Sequence, residues 1–336
     1  MKRPNPYIDL PLTVGRVLAM LLSVVVYVSQ LVYGSLLGFC WFTCGRKTDE
    51  KRERYHRAIW RFFNFDLRYH PWLYADILNP YGETFNRGAI LICNHQSLLD
   101  TLCLLILSPR ILLVTHDRVW NNPLVAAVLR YADCFSVSDT GWDSRLDYCR
   151  SFLEKGYSIV VFPEGQRSPD GNIQRFHKGA FYLAEQLRAD LLPVFIHGAA
   201  YVQPPGVAFA NRGGFHIEIG RRISPDDTSF GTGYVERCKS LHRFYLAHFE
   251  EIRYRVETPA YFRHLVVGLY ASVGLRREAE QVLDETCRDS WDVRTLVDAL
   301  VHPEQTFRLP DTSALRRLYD KYTHLPQNIT FYERRD

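Results

Sequence analysis

Several patterns that mark common protein classes are missing from this sequence. None of its eight cysteines forms a Cys-x-x-Cys pair, so reduced, cytosol-facing thiols fit better than a disulfide framework. It contains no Cys/His cluster with metal-ligand spacing, and no repeat with a period of about 20–50 residues. The net charge of +4 is too small to indicate nucleic-acid binding. We therefore expect no metal, no cofactor and no nucleic-acid partner.

Charge is also absent from one long stretch. Val17 to Gly45 contains no charged residue and is bracketed by Arg16 and Arg46. A helix of this length rises about 43 Å, whereas the hydrocarbon core of a bilayer is roughly 30 Å thick. A tilted span, a span bent near Gly34, or a helix embedded in one leaflet would use the surplus. A signal peptide is the main alternative, but its apolar region is typically about 7–15 residues and no Ala-x-Ala-like site follows here. The pattern predicts a retained membrane segment.

Basic residues are more numerous after this segment than before it. Lys2, Arg3 and Arg16 precede it, and the residues that follow are Arg46, Lys47, Lys51, Arg52, Arg54, Arg57 and Arg61. This asymmetry predicts that everything after the segment is cytoplasmic. Residues 51–75 interleave bulky aromatics with arginines, which suits the headgroup layer of a membrane or a linker helix packed on a domain. Both interpretations stay open.

The pattern changes again between about residues 85 and 225, where short apolar runs alternate with helical stretches. The runs are Ala89–Cys93, Ile111–Thr115, Cys134–Val137, Ser158–Phe162, Leu192–His197 and Phe215–Ile219. The helical stretches lie near 97–107, 122–131, 143–155 and 177–188. This alternation predicts an α/β fold with a mixed, largely parallel, buried sheet flanked by helices. A long helix over 233–254 and a mostly helical tail are expected to follow.

The first candidate for chemistry is the segment Asn94-His95-Gln96-Ser97-Leu98-Leu99-Asp100, directly after a predicted strand. Asp100 could accept a hydrogen bond from one ring nitrogen of His95. The other nitrogen would then be free to take a proton from a hydroxyl. A purely structural interpretation competes with this one. Ser97 with Asp100 has the spacing of a helix capping box, and His95 could bond a backbone carbonyl.

The second candidate, Phe162-Pro163-Glu164-Gly165-Gln166-Arg167-Ser168, also follows an apolar strand. Gly165 lets the backbone approach a ligand closely, and Arg167 offers a fork for a phosphate or carboxylate. Glu164 can accept a bond from a substrate hydroxyl. The alternative is a surface turn, because Pro, Gly and Ser are ordinary turn residues.

Together, the two segments resemble the glycerolipid acyltransferase superfamily, whose best-known members are the 1-acyl-glycerol-3-phosphate acyltransferases. The resemblance covers about residues 85–225, and the block His177-Lys178-Gly179-Ala180 agrees with it. It implies that His95 is the general base and that Asp100 orients it. The acceptor-binding set that it implies is Glu164, Gly165, Arg167 and Lys178. An N-terminal membrane segment is also usual in that family.

One block departs from the family pattern. Where the family carries an arginine that helps to hold the acceptor phosphate, this sequence has Asp139, and Arg145 is out of register. A carboxylate there would repel a phosphate, which favours a less charged acceptor such as an amino-acid lipid or an aryl polyene precursor. The expected organisation is an anchor (1–50), an interfacial or linker region (51–84), an acyltransferase domain (85–254) and a helical extension (255–336).

The resemblance implies transfer of a fatty acyl group from acyl-CoA or acyl carrier protein to a hydroxyl of a lysophospholipid-like acceptor. The expected location is a membrane, with the catalytic domain on its cytoplasmic face. A covalent acyl-serine route is not expected, because the sequence has no Gly-x-Ser-x-Gly elbow. Two other interpretations stay open: hydrolysis or remodelling of lipids on the same fold, and a catalytically silent scaffold that binds lipid.

Overall fold

The computed structural model describes residues 14–43, 47–70, 73–137, 141–168, 171–203, 210, 213–256, 306–310 and 329–332. Their contacts divide the chain into two compact units. The larger unit comprises Leu22–Ala210 and Gly214–Phe249 and contains the predicted α/β region. The smaller unit comprises Met1–Leu21, Asn211–Gly213 and Glu250–Asp336.

A seven-stranded sheet forms the centre of the larger unit. Its strands are β1 (Leu73–Leu78), β2 (Ile90–Cys93), β3 (Ile111–Thr115), β4 (Phe135–Ser136), β5 (Ser158–Val161), β6 (Leu191–His197) and β7 (Gly213–Ile219). They lie in the order β1-β7-β6-β2-β5-β3-β4. Strands β6, β2, β5, β3 and β4 are parallel, whereas β7 pairs antiparallel with β6. The mixed, largely parallel sheet expected from the sequence is confirmed.

Helices cover both faces of this sheet. They are α2 (Asp49–Tyr69), α3 (Asp100–Leu105), α4 (Asp117–Trp120), α5 (Pro123–Tyr131), α6 (Leu146–Glu154), α7 (Gly179–Leu187), α8 (Ala199–Val202) and α9 (Tyr234–Val256). Leu91 of β2 belongs to a buried cluster against which Phe63 of α2 packs. Phe195 of β6 points the other way, its ring 4.4 Å from that of Tyr245 in α9. Every residue of β2 and β5 is buried, and this explains why Ser158 is the one polar residue in the two strands.

The N-terminal helix α1 (Val14–Phe42) contributes residues 22–42 to the larger unit, where they contact α2 and α5. Two glycines of α1 let neighbouring side chains approach its backbone closely. A Cβ on Gly38 would lie 2.2 Å from Cδ2 of Tyr131 in α5, and one on Gly34 would lie 3.2 Å from Cγ1 of Val128. The carbonyl of Gly34 accepts a hydrogen bond from the Tyr55 hydroxyl of α2 at 3.0 Å. Residues 20–42 have a mean hydropathy of 1.8, and by length and composition they could cross a membrane. Away from these contacts, many large apolar side chains of α1 are exposed, among them Val28 and Val32.

A buried carboxylate fastens α2 to the end of α5. Asp133 accepts hydrogen bonds from Lys47 Nζ at 2.7 Å and from Arg52 Nε at 2.9 Å. His56 Nε2 lies 3.3 Å from Oδ2 of Asp133. Burial alone would raise the pKa of Asp133, but its bonds to His56 and Lys47 hold that pKa below its usual value. Burial lowers the pKa of His56 despite the neighbouring carboxylate. The cationic side chains that fasten α2 are therefore not free to contact lipid headgroups.

The structure adds elements that the sequence patterns did not indicate. Strand β1 forms within the stretch expected to be a linker, and it escapes a pattern search because it lies at the sheet edge with Ile77 and Leu78 exposed. The tail was predicted to be mostly helical. Its described part forms a pair of parallel strands, β8 (Phe307–Pro310) and β9 (Ile329–Tyr332), and the predicted helices fall on residues outside the described ranges. The remainder of residues 257–336 lies outside the described chain.

Candidate active site

The candidate site begins where β2 ends. Asn94 follows the strand directly and is completely buried. Its side-chain amide donates to the carbonyl oxygen of Ile196 at 2.8 Å and accepts from the Ile196 N–H at 2.9 Å. The side chain of Asn94 thus occupies the main-chain hydrogen-bonding groups of β6 at this point. This arrangement fixes the backbone at the carboxyl end of the sheet, where His95 comes next.

His95 and Asp100 are paired as the sequence predicted. Nδ1 of His95 lies 2.8 Å from Oδ2 of Asp100. The same oxygen accepts the backbone N–H of Gln96 at 2.6 Å and of Ser97 at 2.8 Å. Asp100 stands in the first turn of α3 and is fully buried. One carboxylate oxygen therefore contacts both the imidazole and the two backbone N–H groups that precede α3. That Asp100 orients His95 for catalysis stays a prediction.

This pairing decides which nitrogen of His95 can accept a proton. A carboxylate opposite Nδ1 requires Nδ1 to carry the hydrogen, so Nε2 has the free lone pair. The ring stacks on Phe162 with centroids 4.0 Å apart and planes 18° apart. The His95 side chain keeps 18% of its surface exposed, whereas Asp100 keeps none. Asp100 thus bonds Nδ1 of the imidazole, Phe162 packs on one face of the ring, and part of the side chain stays accessible to a substrate.

Glu164 connects His95 to a second loop. Its Oε1 accepts the backbone N–H of His95 at 2.9 Å, and its Oε2 accepts that of Gln174 at 2.8 Å. Glu164 is only 2% exposed. The carbonyl of His95 also accepts the N–H of Ser168 at 2.8 Å, so the main chain of His95 is held on both sides. That Glu164 binds the acceptor stays a prediction, and such a bond would share oxygens already engaged with backbone.

Gly165, Arg167 and Lys178 lie on the exposed side of the same turn region. Gly165 has φ +71°, and a Cβ there would lie 3.3 Å from Cδ2 of His177, so a side chain would strain the turn. Arg167 and Lys178 are exposed, and neither has an ion pair with another described residue. Both cations are available to an anionic ligand. Their predicted acceptor-binding role is compatible with this placement.

Other predicted features lie outside the site as described. Asp139, on which the expectation of a less charged acceptor rests, is among the undescribed residues, and Arg145 ends a 3₁₀ turn, Asp143–Arg145. Within the described ranges, no group of three or more His, Cys, Asp or Glu side chains is placed to hold a metal ion.

The roles of Asn94, Phe162 and Gln174 around His95 were missed from the sequence. Asn94 and Phe162 were visible as motif members, but their partners were not. Ile196 is 102 positions from Asn94, and Phe162 is far from His95 along the chain. No short-range pattern signals such pairings.

Residues 76–197 match the Acyltransferase family. They form a domain of the glycerolipid acyltransferase superfamily. The match includes both candidate segments and the strands that carry them, which confirms the resemblance drawn from the sequence.

Curated relatives of this acyltransferase domain carry consistent names. The chain is 29% identical over 139 residues to a chloroplastic 1-acyl-sn-glycerol-3-phosphate acyltransferase of Arabidopsis thaliana, covering 40% of this chain and 39% of that protein. It is 26% identical over 183 residues to a chloroplastic enzyme of the same name from Brassica napus, covering 52% of each. The match to the human beta form is 25% over 143 residues, covering 41% of this chain and 51% of that protein. The chain therefore spans about half or less of these relatives.

A solved structure shares the fold of the acyltransferase domain. The 1-acyl-sn-glycerophosphate acyltransferase of Thermotoga maritima superposes with a TM-score of 0.59 at 23% identity. The superposition covers 71% of this chain and 97% of that one.

Proposed function

We propose that this protein is an O-acyltransferase that moves a fatty acyl group from a thioester to a hydroxyl of a lysophospholipid-like acceptor. The observation that carries the proposal is the 2.8 Å contact between His95 Nδ1 and the buried Asp100 carboxylate, with Nε2 open at the carboxyl end of a parallel sheet. Such strand ends are where α/β folds place their active sites. The names of the relatives support the reaction class.

In the proposed step, Nε2 of His95 takes the proton of the acceptor hydroxyl while the hydroxyl oxygen attacks the thioester carbonyl carbon. The carbon–sulfur bond then breaks, and the sulfur leaves as a thiolate that receives the same proton from Nε2. The Asp100 carboxylate stabilises the transient imidazolium through Nδ1–H. Acid–base balance is restored at the end of each turnover, and no cofactor takes part.

The surrounding residues suit an acceptor with an anionic headgroup. Arg167 can hold a carboxylate or phosphate with two parallel hydrogen bonds, and Lys178 adds a second positive charge. Gly165 keeps the intervening turn clear of side-chain atoms. Either acyl-CoA or acyl carrier protein could supply the thioester.

The substitution His95→Ala tests the proposal. We expect loss of transfer by about 10²–10⁴-fold, because the general base is removed, with folding and membrane association unchanged. A matched control is His70→Ala, since His70 accepts a bond from the Leu73 N–H at the start of β1 and belongs to neither candidate segment. Transfer by His95→Ala within about threefold of wild type would refute the assignment.

The rival functions give different outcomes in the same assay. Hydrolysis would release fatty acid without any added acceptor, whereas transfer needs the acceptor for turnover. A silent scaffold would bind lipid in the wild type and show no His95-dependent turnover. Acceptor-dependent, His95-dependent product therefore excludes both.

The acceptor class needs its own experiment. The relatives are named for 1-acyl-glycerol-3-phosphate, whereas Asp139 favours a less charged acceptor. A competition between lysophosphatidate and a neutral lyso-lipid, with one acyl thioester, separates the two. Preference for lysophosphatidate by about tenfold or more would contradict the inference from Asp139. A tenfold ratio corresponds to about 1.4 kcal/mol in activation free energy.

We further propose that α1 lies in one leaflet of the membrane and does not cross it. Its contacts with the larger unit run from Ser23, which accepts the Ala210 N–H at 3.2 Å, to Phe42, whose ring lies 5.8 Å from that of Tyr131. That stretch is about 28 Å of helix. A perpendicular span would bury the neighbouring polar domain in lipid. The larger unit would then face the side marked by the basic residues, the cytoplasm.

A further inference from the structure

Helix α9 follows the segment that matches the acyltransferase family, yet two of its side chains reach the backbone around His95. Tyr245 is fully buried and sends its hydroxyl to the two strands that flank the site. The hydroxyl donates to the Ile92 carbonyl of β2 at 2.5 Å and accepts the Val194 N–H of β6 at 3.2 Å. Burial raises the pKa of Tyr245 well above its usual value, so the hydroxyl keeps its proton. Ile92 is three residues before His95.

The second contact runs through the loop that Glu164 holds. His242 Nε2 lies 3.1 Å from the carbonyl oxygen of Gln174, so that nitrogen carries a hydrogen and donates it. The N–H of Gln174 in turn bonds Oε2 of Glu164, whose Oε1 holds the N–H of His95. His242 of α9 is thus linked to the main chain of His95 through Gln174 and Glu164.

Aromatic packing keeps both α9 side chains in place. The Phe176 ring lies 4.9 Å from that of His242 and 5.1 Å from that of Tyr245. The Tyr245 ring also packs 4.4 Å from Phe195 on the same face of the sheet. The ring of Tyr245 thus packs against two of these aromatic side chains and that of His242 against one, which limits the freedom of each polar atom to leave its partner.

We propose that Tyr245 and His242 are positioning residues for catalysis, which hold the backbone of His95 in register with the substrate. They touch no reacting atom. They act because Tyr245 fixes the end of β2, and because His242 fixes the loop that anchors Glu164. This proposal rests on the proposed acyl transfer, in which the general base must reach the acceptor hydroxyl within hydrogen-bond distance.

The test compares Tyr245→Phe with Tyr55→Phe in the full-length protein. Both variants remove one buried hydroxyl that bonds a backbone carbonyl, but the hydroxyl of Tyr55 bonds Gly34 between α1 and α2. We expect a loss of thermal stability in both, larger in Tyr245→Phe because its hydroxyl also accepts the Val194 N–H. We expect kcat to fall about tenfold in Tyr245→Phe alone, because small misplacements of catalytic groups are costly, with KM for donor and acceptor unchanged.

His242 provides an independent arm. His242→Leu should lower kcat by about tenfold at unchanged KM, whereas His242→Gln, whose amide can still donate to the Gln174 carbonyl, should recover most of it.

The outcomes separate this proposal from the proposed function. Equal kcat in Tyr245→Phe and Tyr55→Phe, or equal loss in His242→Leu and His242→Gln, would overturn the positioning role. A rise in KM alone would also overturn it. Retention of transfer in His95→Ala would instead refute the acyl-transfer mechanism itself, whatever the α9 variants show.

Discussion

The pairing of His95 with Asp100 makes a quantitative prediction for the substitution Asp100→Asn. Oδ2 of Asp100 accepts three N–H groups, from His95 Nδ1, Gln96 and Ser97. Asparagine has the same shape, and with its oxygen in the place of Oδ2 it can still accept all three N–H groups. Its NH₂ group would then take the place of Oδ1, which is buried and has no hydrogen-bond partner among the described residues. The tautomer of His95 would be kept, but the negative charge that stabilises the imidazolium would be lost.

The expected size of the effect follows from the loss of the charge opposite Nδ1. Removing general-base function costs about 10²–10⁴-fold, equivalent to about 2.7–5.4 kcal/mol in the activation barrier. The fold should survive, because the three hydrogen bonds and the side-chain volume are kept. We therefore expect a large fall in kcat with a small change in melting temperature.

The assay is transfer of a radiolabelled acyl group from the thioester to lysophosphatidate, alongside thermal melts. Asp147→Asn is the matched control, since Asp147 is an exposed residue of α6 paired only with Arg150. Activity of Asp100→Asn within about threefold of wild type would show that the carboxylate serves only to cap α3. Unfolding of the variant would be visible in the melts and would call for Asp100→Glu as a second test.

Three further predictions concern other parts of the larger unit. Glu164→Gln should lower kcat by about tenfold with little change in acceptor KM, because the single side-chain oxygen of glutamine cannot accept the N–H groups of both His95 and Gln174. A selective rise in acceptor KM would instead identify Glu164 as an acceptor ligand. Val28→Glu combined with Val32→Glu, on the exposed stripe of α1, should reduce binding to phospholipid vesicles about tenfold or more while the melting temperature holds; undiminished sedimentation with vesicles would contradict membrane contact by this stripe. Burial places the pKa of His56 below 6.5, so the unfolded chain takes up its proton first and the free energy of unfolding should decline as the pH falls through 6.5; urea melts at about pH 7.5 and about pH 5.5 should show this decline, and His56→Gln should lessen it.

Much of the architecture could be predicted because buried parallel strands leave a local signal. The unbroken apolar runs at β2, β3 and β5 had nearly the observed boundaries, since both faces of these strands are covered. Strand β1 left no such signal, because its residues face solvent on one side at the sheet edge. The sequence therefore predicted the buried strands well, but it did not predict a strand that is paired only at the sheet edge.

The site divides in the same way. The His95–Asp100 pair spans five positions, and a strand exit followed by a helix start brings those positions together, so spacing indicated the contact and the family resemblance implied it. The contacts of Glu164 with His95 and of Tyr245 with Ile92 join positions 69 and 153 apart. Such contacts depend on how the strands are ordered in the sheet, which periodicity does not encode. Local patterns thus indicated the candidate groups, and only the tertiary structure showed what holds them.

The packing of Gly38 in α1 has a consequence for how the protein folds during its synthesis. Gly38 packs against Tyr131, which is synthesised about 90 residues later. At about 5–20 residues per second, α1 waits roughly 5–20 seconds after leaving the ribosome before its partner exists. Throughout that interval the face of this apolar helix that α5 later covers is exposed. Membrane insertion during translation would give α1 a solvent at once, so the bilayer would serve as the first template on which the remainder of the larger unit assembles.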